Sequence, residues 1–589
     1  MSLTTTGPRF RARLLAVLLC AVSVLAVQTG TADASTSLNG DGSSWAGPAL
    51  DQWRQDVEPQ GIEINFAADG SAAGRAQWAA GQDDFTASDV PFRTHGDAGD
   101  PTGNNSSAEN PQYDFSYVPV TAGGTAFMYH LTVAGKLVTD MRMSPDTLVK
   151  IFTGKITYWD DPAIRHDYGG TLPHELITPV VRSDGSGATA QFTRYMEHTH
   201  KAQWDAYCKA QVGTSCGDYT EFFPPSGRMV SQNGSDVVAN YIQSPTGEGT
   251  IGYDEYAYAK RANWPVVKML NADGYYTLPT ASNVAVALTA AKIKGVDDNT
   301  PPSDPDYLQQ NLDAVYGMKD PRAYPISSYS YLIVPRSGES RGIPPRFTTA
   351  KGSALSKYIG YILCAGQGEA DQLGYSPIPR GLVKGGLLQV SHIPGNNDGI
   401  DPNKLNNCPN PTFNAAGQLT VLTKAPQPSP CDKLGEPLTC TVSGGKAVTP
   451  SGSGGGGAGS AGTSGGSTAG GTGSTGGATT GGATPSGPPT GSAVDPDTGQ
   501  VVPNGGSGGT GTEVPATVVA LSGRHDDRLL STLTALELLA VVAVPPFLGG
   551  YLTRRRRLGP VAGAGPLPGP KPEPEPESKP EPEDGGPRR

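Results

Sequence analysis

Charge is sparse in this chain, and what there is leans negative. Charged residues make up 17 % of the sequence, and Asp and Glu outnumber Lys and Arg by 55 to 44, for a formal net charge of −11. Sequence-independent nucleic-acid binding needs a basic footprint, so that class is excluded. No Cys-x-x-Cys pair and no cluster among the 8 histidines has metal-ligand spacing, which excludes a zinc site or similar metal centre. The 79 glycines follow no Gly-X-Y period, which excludes collagen. A nucleophile elbow is also missing. Ser186 lies in a Gly-Ser-Gly turn, but Asp184 and Ala188 stand where Gly-x-Ser-x-Gly needs its outer glycines, and no paired His-Asp base is visible. The chain is therefore not expected to be an enzyme. A single compact core is excluded by the length of 589 residues. The expectation is a folded part of about 350–400 residues with large unfolded segments around it.

The two ends set the compartment. Arg9, Arg11 and Arg13 precede an apolar run from Leu14 to Val27, and Ala32-Asp33-Ala34 offers a small-residue cleavage site, so residues 1–34 read as a secretory signal. Cys20 follows Leu19 rather than a small residue and sits inside the apolar run, which excludes lipidation. Six cysteines remain: Cys208, Cys216, Cys364, Cys408, Cys431 and Cys440. An even count in an exported chain implies disulfides, with 15 formal pairings for six cysteines. Proximity favours Cys208–Cys216 and Cys431–Cys440, leaving Cys364–Cys408. Residues 443–515 are Gly, Ser, Thr and Ala with scattered Pro, too poor in apolar side chains to offset ordering entropy, and read as a flexible linker. Leu529 to Leu552 is long enough to span a bilayer, despite Glu537 and the kink expected at Pro545-Pro546. Arg554 to Arg557 follow at once and mark the cytoplasmic side. The expectation is a single-pass protein of the cell membrane. Its folded part faces outward, and its tail, 553–589 with the Pro/Glu run 571–577, lies in the cytoplasm.

The folded part, 38–441, alternates short apolar strands with helical stretches, which implies α/β architecture. Strands are expected at Ile62–Phe66, Ile177–Val181 and Ser327–Val334. Helices are expected after Pro48, with Leu50, Trp53 and Val57 on one face, and after the Ser144-Pro145-Asp146 cap. Three helix starts share one chemistry: Gly42-Ser43-Ser44-Trp45, Gly70-Ser71-Ala72-Ala73-Gly74, and Arg182-Ser183-Asp184-Gly185-Ser186-Gly187-Ala188. Each joins a hydroxyl to unpaired backbone N–H groups and the positive end of a helix dipole, a combination that attracts anions. A fourth segment, Asp83 to Asp89, is acidic. Asp89 beside an anion makes sense when the ligand keeps a proton for the carboxylate to accept, and a fully ionised sulfate then meets repulsion.

From about Leu38 to Val383 these stretches resemble the substrate-binding proteins of the high-affinity phosphate ABC transporter. The resemblance is carried in order by Gly40 to Trp45, Asp84 to Pro91, Ile151 to Asp161 (Ile-Phe-Thr-Gly-Lys-Ile-Thr-Tyr-Trp-Asp-Asp), Arg182 to Gly187, Gly252 to Ala259 and Tyr324 to Tyr329. It implies a two-lobed α/β fold of the type II periplasmic-binding-protein kind that closes over one inorganic phosphate without a cofactor. One lobe is expected at about 38–120 plus 280–441 and the other at 121–279, with crossovers near Pro119-Val120-Thr121 and Leu278-Pro279. The resemblance gives Ser44 and Trp45 as donors from the first lobe and Ser71 as a further hydroxyl and N–H. Asp89 is the acceptor of the phosphate proton. Arg182 is the charged donor, oriented by Asp184, and Ser186, Gly187 and Ala188 are donors at a helix start. Ser44 and Ala188 stand where Thr is usual, and Trp45 where Phe is usual. The hydroxyl lost at Ala188 is worth about 0.5–1.5 kcal/mol, or up to about tenfold in affinity. Two roles are implied: delivery of phosphate to an ABC permease, or, as the alternative, phosphate sensing or surface interaction without uptake.

Overall fold

The computed structural model describes residues 36–449 apart from 104–106, 339–340 and 398, together with the short strand pair Ala493–Val494 and Val501–Val502. The signal 1–34, the span 529–552, the tail 553–589 and most of the linker 443–515 lie outside the described residues. Among the described residues no helix is long and apolar enough to cross a membrane.

Eight strands form the central sheet: β1 (Thr36–Gly42), β2 (Ile62–Ala67), β3 (Phe85–Ser88), β4 (Phe115–Tyr129), β5 (Thr178–Arg182), β6 (Val230–Gln232), β7 (Thr250–Glu255) and β8 (Ser327–Pro335). Their order is β2-β1-β3-β8-β4-β7-β5-β6. The outer pairs on each side, β1 with β2 and β3, and β5 with β6 and β7, are parallel, whereas β8 and β4 pair antiparallel with their neighbours. Pro179 is tolerated in β5 because it faces only β7; the pairing of β5 with β6 starts one residue later, at Val180.

β4 joins the two halves. Its residues up to Gly124 pair with β8, and from Thr125 onward they pair with β7. The exchange of partner thus falls inside one continuous strand, beyond the expected Pro119–Thr121. What Pro119 does instead is bulge the ladder: Ser330 faces Thr121 and Tyr331 faces Pro119, so Val120 is passed over. Gln367 Nε2 donates to the Val120 carbonyl at 3.0 Å.

Each half has its own aromatic core. Trp78, Phe92, Phe115, Tyr117 and Tyr331 pack edge-on or tilted against one another in the first. Phe127, Phe152, Phe192 and Tyr253 pack in the second, with centroids 5.1–5.9 Å apart. Helix α1 (Gly47–Val57) has Pro48 in its first turn, where the missing N–H costs nothing, and it buries Leu50, Trp53 and Val57. Further helices are α2 (Ser71–Ala79), α3 (Pro145–Phe152, capped by Ser144 Oγ on Thr147 N), α4 (Gly187–Val212), α5 (Ser235–Gln243), α6 (Ala281–Leu288), α7 (Thr349–Leu363) and α8 (Arg380–Val390). The disulfides are Cys208–Cys216, Cys364–Cys408 and Cys431–Cys440.

The C-terminal part of the domain departs from the expected layout twice. Residues 430–440, grouped above with the first lobe, pack on the second. Arg142 donates to the carbonyls of Cys431 and Glu436 at 3.0 and 3.1 Å, Lys268 Nζ reaches Asp432 at 3.0 Å, and Leu434 N donates to the Gly274 carbonyl. Just upstream, Arg322 of the first lobe holds the carbonyl of Leu422. Residues 421–440 are therefore a strap between lobes. The chain also stays ordered past Ser443: Thr441–Ser443 pairs with Lys446–Val448 through Gly444-Gly445, both with positive φ, the pair of residues a type I′ hairpin needs.

Asp432 is buried and bonded to two cations, so Asp432→Ala is expected to lower the unfolding free energy by about 1–3 kcal/mol in urea titration of the full-length protein. An unchanged midpoint and slope would mean that the strap contributes nothing.

Candidate binding site

The three helix starts anticipated from the sequence meet at the contact between the lobes, and a fourth joins them. Ser44, before α1, and Ser235, the first residue of α5, place their hydroxyls 3.0 Å apart. Arg182, at the end of β5, bonds both: Nη2 donates to Ser44 Oγ and Nη1 to Ser235 Oγ, each at 3.0 Å. Asp184 fixes the guanidinium from behind, accepting Nε at 2.8 Å and a second bond from Nη2. Its Oδ1 also accepts the N–H of Gly234, the residue before α5. Burial disfavours the charged guanidinium, but Asp254 and Asp184 outweigh it and hold its pKa above the ordinary value.

Asp89 follows β3 and faces α4. Its carboxylate accepts Ser43 Oγ at 2.8–2.9 Å, Ser71 Oγ at 3.1 Å, and Ser330 Oγ. Its carbonyl accepts Gln191 and Gln310. Burial raises the Asp89 pKa; the three serine bonds and the charge of Arg182 oppose that rise. The carboxylate lies so close to the α4 start that a Cβ on Gly187 would stand 1.8 Å from Oδ2. Ser186 Oγ caps α4 on Thr189 N, and Ala188 is buried in its first turn. Trp45 turns its indole into the core against Tyr375, whose hydroxyl holds the Trp45 carbonyl.

Ser44, Ser71, Asp89, Arg182, Ser186 and Gly187, with Asp184 behind, are thus brought together; Trp45 and Ala188 contribute backbone at the same helix starts. Sequence reading missed Ser43, Ser235, Ser330, Asp254 and Glu255. Gly234-Ser235 repeats the Gly-Ser signal before a helix and was available to be found. Ser330 reaches Asp89 from the bulge at Val120, which no local pattern announces. Asp254 and Glu255 end β7, both about 99 % buried. A Cβ on Gly123 would meet Glu255 Oε1 at 2.3 Å, so this glycine is where the β4 crossover makes room for that carboxyl. Burial, with Asp254 and Asp89 nearby, pushes Glu255 well above the carboxylate range.

The lobes are closed on each other. Ala72 N, in α2, donates to the Gly185 carbonyl, and Arg75 and Arg93 of the first lobe pair with buried Glu221 of the second.

A bridged sheet carrying two α/β halves, closed over convergent helix starts, defines a two-lobed binding protein. A family profile described as the PBP superfamily domain matches residues 27–365. The phosphate-binding protein PstS of Xylella fastidiosa is 30 % identical over 354 residues, covering 59 % of this chain and 84 % of that protein. The PstS of Methanocaldococcus jannaschii is 28 % identical over 359 residues, 58 % and 83 % of the two chains. PstS 3 of Mycobacterium tuberculosis is 29 % identical over 323 residues, 54 % and 76 %. The chain belongs to this family, the substrate-binding proteins of the phosphate ABC transporter.

Gly187→Ala is expected to force the α4 start off Asp89. Because Ser43, Ser71 and Ser330 hold that carboxylate, the cost is about 1–3 kcal/mol against closure. Small-angle scattering should show a larger radius of gyration for the variant; an identical profile would mean that the contact does not govern closure.

Proposed function

We infer that the protein binds one inorganic phosphate between its lobes, outside the cell, and delivers it to an ABC importer. The observation that carries this reading is the opposition of Asp89 and Arg182 across the α4 start: an acceptor and a charged donor, both buried, beside N–H groups. Arg182 would turn Nη1 and Nη2 from Ser235 and Ser44 to ligand oxygens while Asp184 keeps its plane fixed. Ser44, Trp45 and Ser71 would donate from the first lobe, and Ser186, Gly187 and Ala188 from the second. The negative charge meets helix-start N–H groups as well as the arginine. Asp89 would accept a P–OH hydrogen bond, which sulfate cannot offer.

Release needs the lobes to part. Gly123-Gly124 in β4 and Leu278-Pro279 are the natural hinge: a Cβ on Gly124 would stand 2.6 Å from Pro279 Cβ, so the two crossovers touch. Beyond the domain, the apolar run 529–552 with its four arginines supports a tether in the cell membrane, and 1–34 supports export. The Gly-rich 443–515 would then give the domain reach between membrane and permease.

Calorimetry on the full-length protein tests this. Phosphate should bind with a micromolar or lower Kd, and sulfate at least about a hundredfold more weakly. Arg182→Ala, which leaves Asp184 and Asp254 without their buried cation, should lose about a hundredfold or more. Equal affinity for sulfate would refute the Asp89 argument, and undiminished binding by the variant would refute the site.

A further inference from the structure

Asp254 is one of the carboxylates that hold the Arg182 charge, yet it makes no hydrogen bond to the guanidinium. It is about 99 % buried, and its Oδ2 lies 3.6 Å from Arg182 Nη1, too far for a hydrogen bond, and has no hydrogen-bond partner within bonding distance among the described residues. Asp254 stands two residues past the Gly252–Val180 pair of β7 with β5, as Arg182 stands two past Val180. The nearest donor on Nη1 is occupied by Ser235. An oxygen of a ligand that takes over Nη1 would therefore come beside Oδ2.

Two buried negative groups at that separation need a proton between them. We propose that Asp254 is a second proton-reading residue of the site, so that the complex holds one proton more than Asp89 alone requires. The protein thereby favours the doubly protonated phosphate monoanion. The proposal rests on the reading that phosphate binds at Arg182. The proton sits either on the ligand, donated to Asp254 Oδ2, or on Asp254, donated to a ligand oxygen; the count is the same. Among the described residues, nothing else facing Asp254 supplies the missing positive charge. Facing Asp254 are Arg182 from β5, already paired with Asp184; Ser235 from α5; Glu255 and Tyr253 from its own strand; and Tyr258 from the helix that follows. Its partner on β4 is Ala126.

The direction of the pH effect follows. Burial, partly offset by Arg182, lifts the Asp254 carboxyl to about 6. An anion placed beside it lifts it further, so the complex keeps a proton that ionised Asp254 and a phosphate dianion lack, and affinity falls relative to a variant without that carboxyl as pH rises above that value. Asp41, two residues before Ser43, is lifted to about 8 by burial and by Asp83 and Asp69, and it titrates in wild type and in an Asp254 variant alike.

The test is calorimetric titration of the full-length protein with inorganic phosphate from about pH 5.5 to about pH 8, for wild type and Asp254→Asn. The amide donates without needing a proton, so the variant should lose the linked step. The ratio of wild-type to variant Kd should grow by about tenfold per pH unit above about pH 6. Parallel profiles overturn the proposal, as does a folded variant that binds no phosphate at any pH. A wild type that binds no phosphate overturns the functional reading itself. Should the variant not fold, proton uptake by the wild type, from binding heats in buffers of different ionisation enthalpy, decides. One proton more than a bound dianion over ionised Asp254 supports the proposal, and a count equal to that reference overturns it.

Discussion

One guanidinium has to serve several masters. Arg182 is buried at the contact between the lobes, with Asp184 bonded to it, Asp254 beside it and Asp89 within reach of its charge. A buried ion costs several kcal/mol in desolvation unless its partners satisfy it. The site meets that requirement by giving Arg182 two kinds of partner. Asp184 takes Nε and one Nη2 bond and holds the plane. Ser44 takes the other Nη2 donor and Ser235 one Nη1 donor, and neutral hydroxyls can surrender them to an anion at little cost. The convergent helix starts supply additional positive potential without adding a charge that would itself need burying. On the proposed reading, a chain of net charge −11 would hold an anion locally, by oriented dipoles and one arginine.

The rest of the fold keeps those groups in register. β4 runs unbroken through both halves, so the two lobes share one strand while keeping separate aromatic cores. The glycines at its crossover admit Glu255 on one side and Pro279 on the other. Across the cleft, Glu221 is held between Arg75 and Arg93 in a buried pairing. The strap 421–440 adds a third passage between lobes, bonded to Arg322 at one end and to Arg142 and Lys268 at the other. Any parting of the lobes would bend the strap as well as the hinge strands.

Much of this was legible in the sequence. The strands at 62–67 and 327–335, the Pro48 helix and the Ser144 cap all rest on local rules of alternation, spacing and capping, and they stand where those rules put them. The three helix starts were visible because Gly-Ser before an amphipathic run is a local signal. What local rules could not carry was partnership over long separations. Ser330, which reaches Asp89, lies at the register shift opposite Pro119–Thr121, about 210 positions away in the chain. Asp254 meets Arg182 only once β7 lies beside β5. The docking of 430–440 on the second lobe is not visible locally because it depends on Arg142 and Lys268, far away in the chain. The Gly444-Gly445 hairpin was read as linker because two glycines look the same in a I′ turn as in a flexible coil.

The central claim is that a single phosphate sits between Asp89 and Arg182 at the start of α4. A crystal structure of the protein grown with phosphate tests it most directly. The account predicts one tetrahedral anion with an oxygen at hydrogen-bond distance from Asp89, two oxygens on Arg182 Nη1 and Nη2, and Ser44 and Ser235 released from the guanidinium. Phosphate density elsewhere, or an Arg182 still bonded to both serines in the bound form, would contradict it.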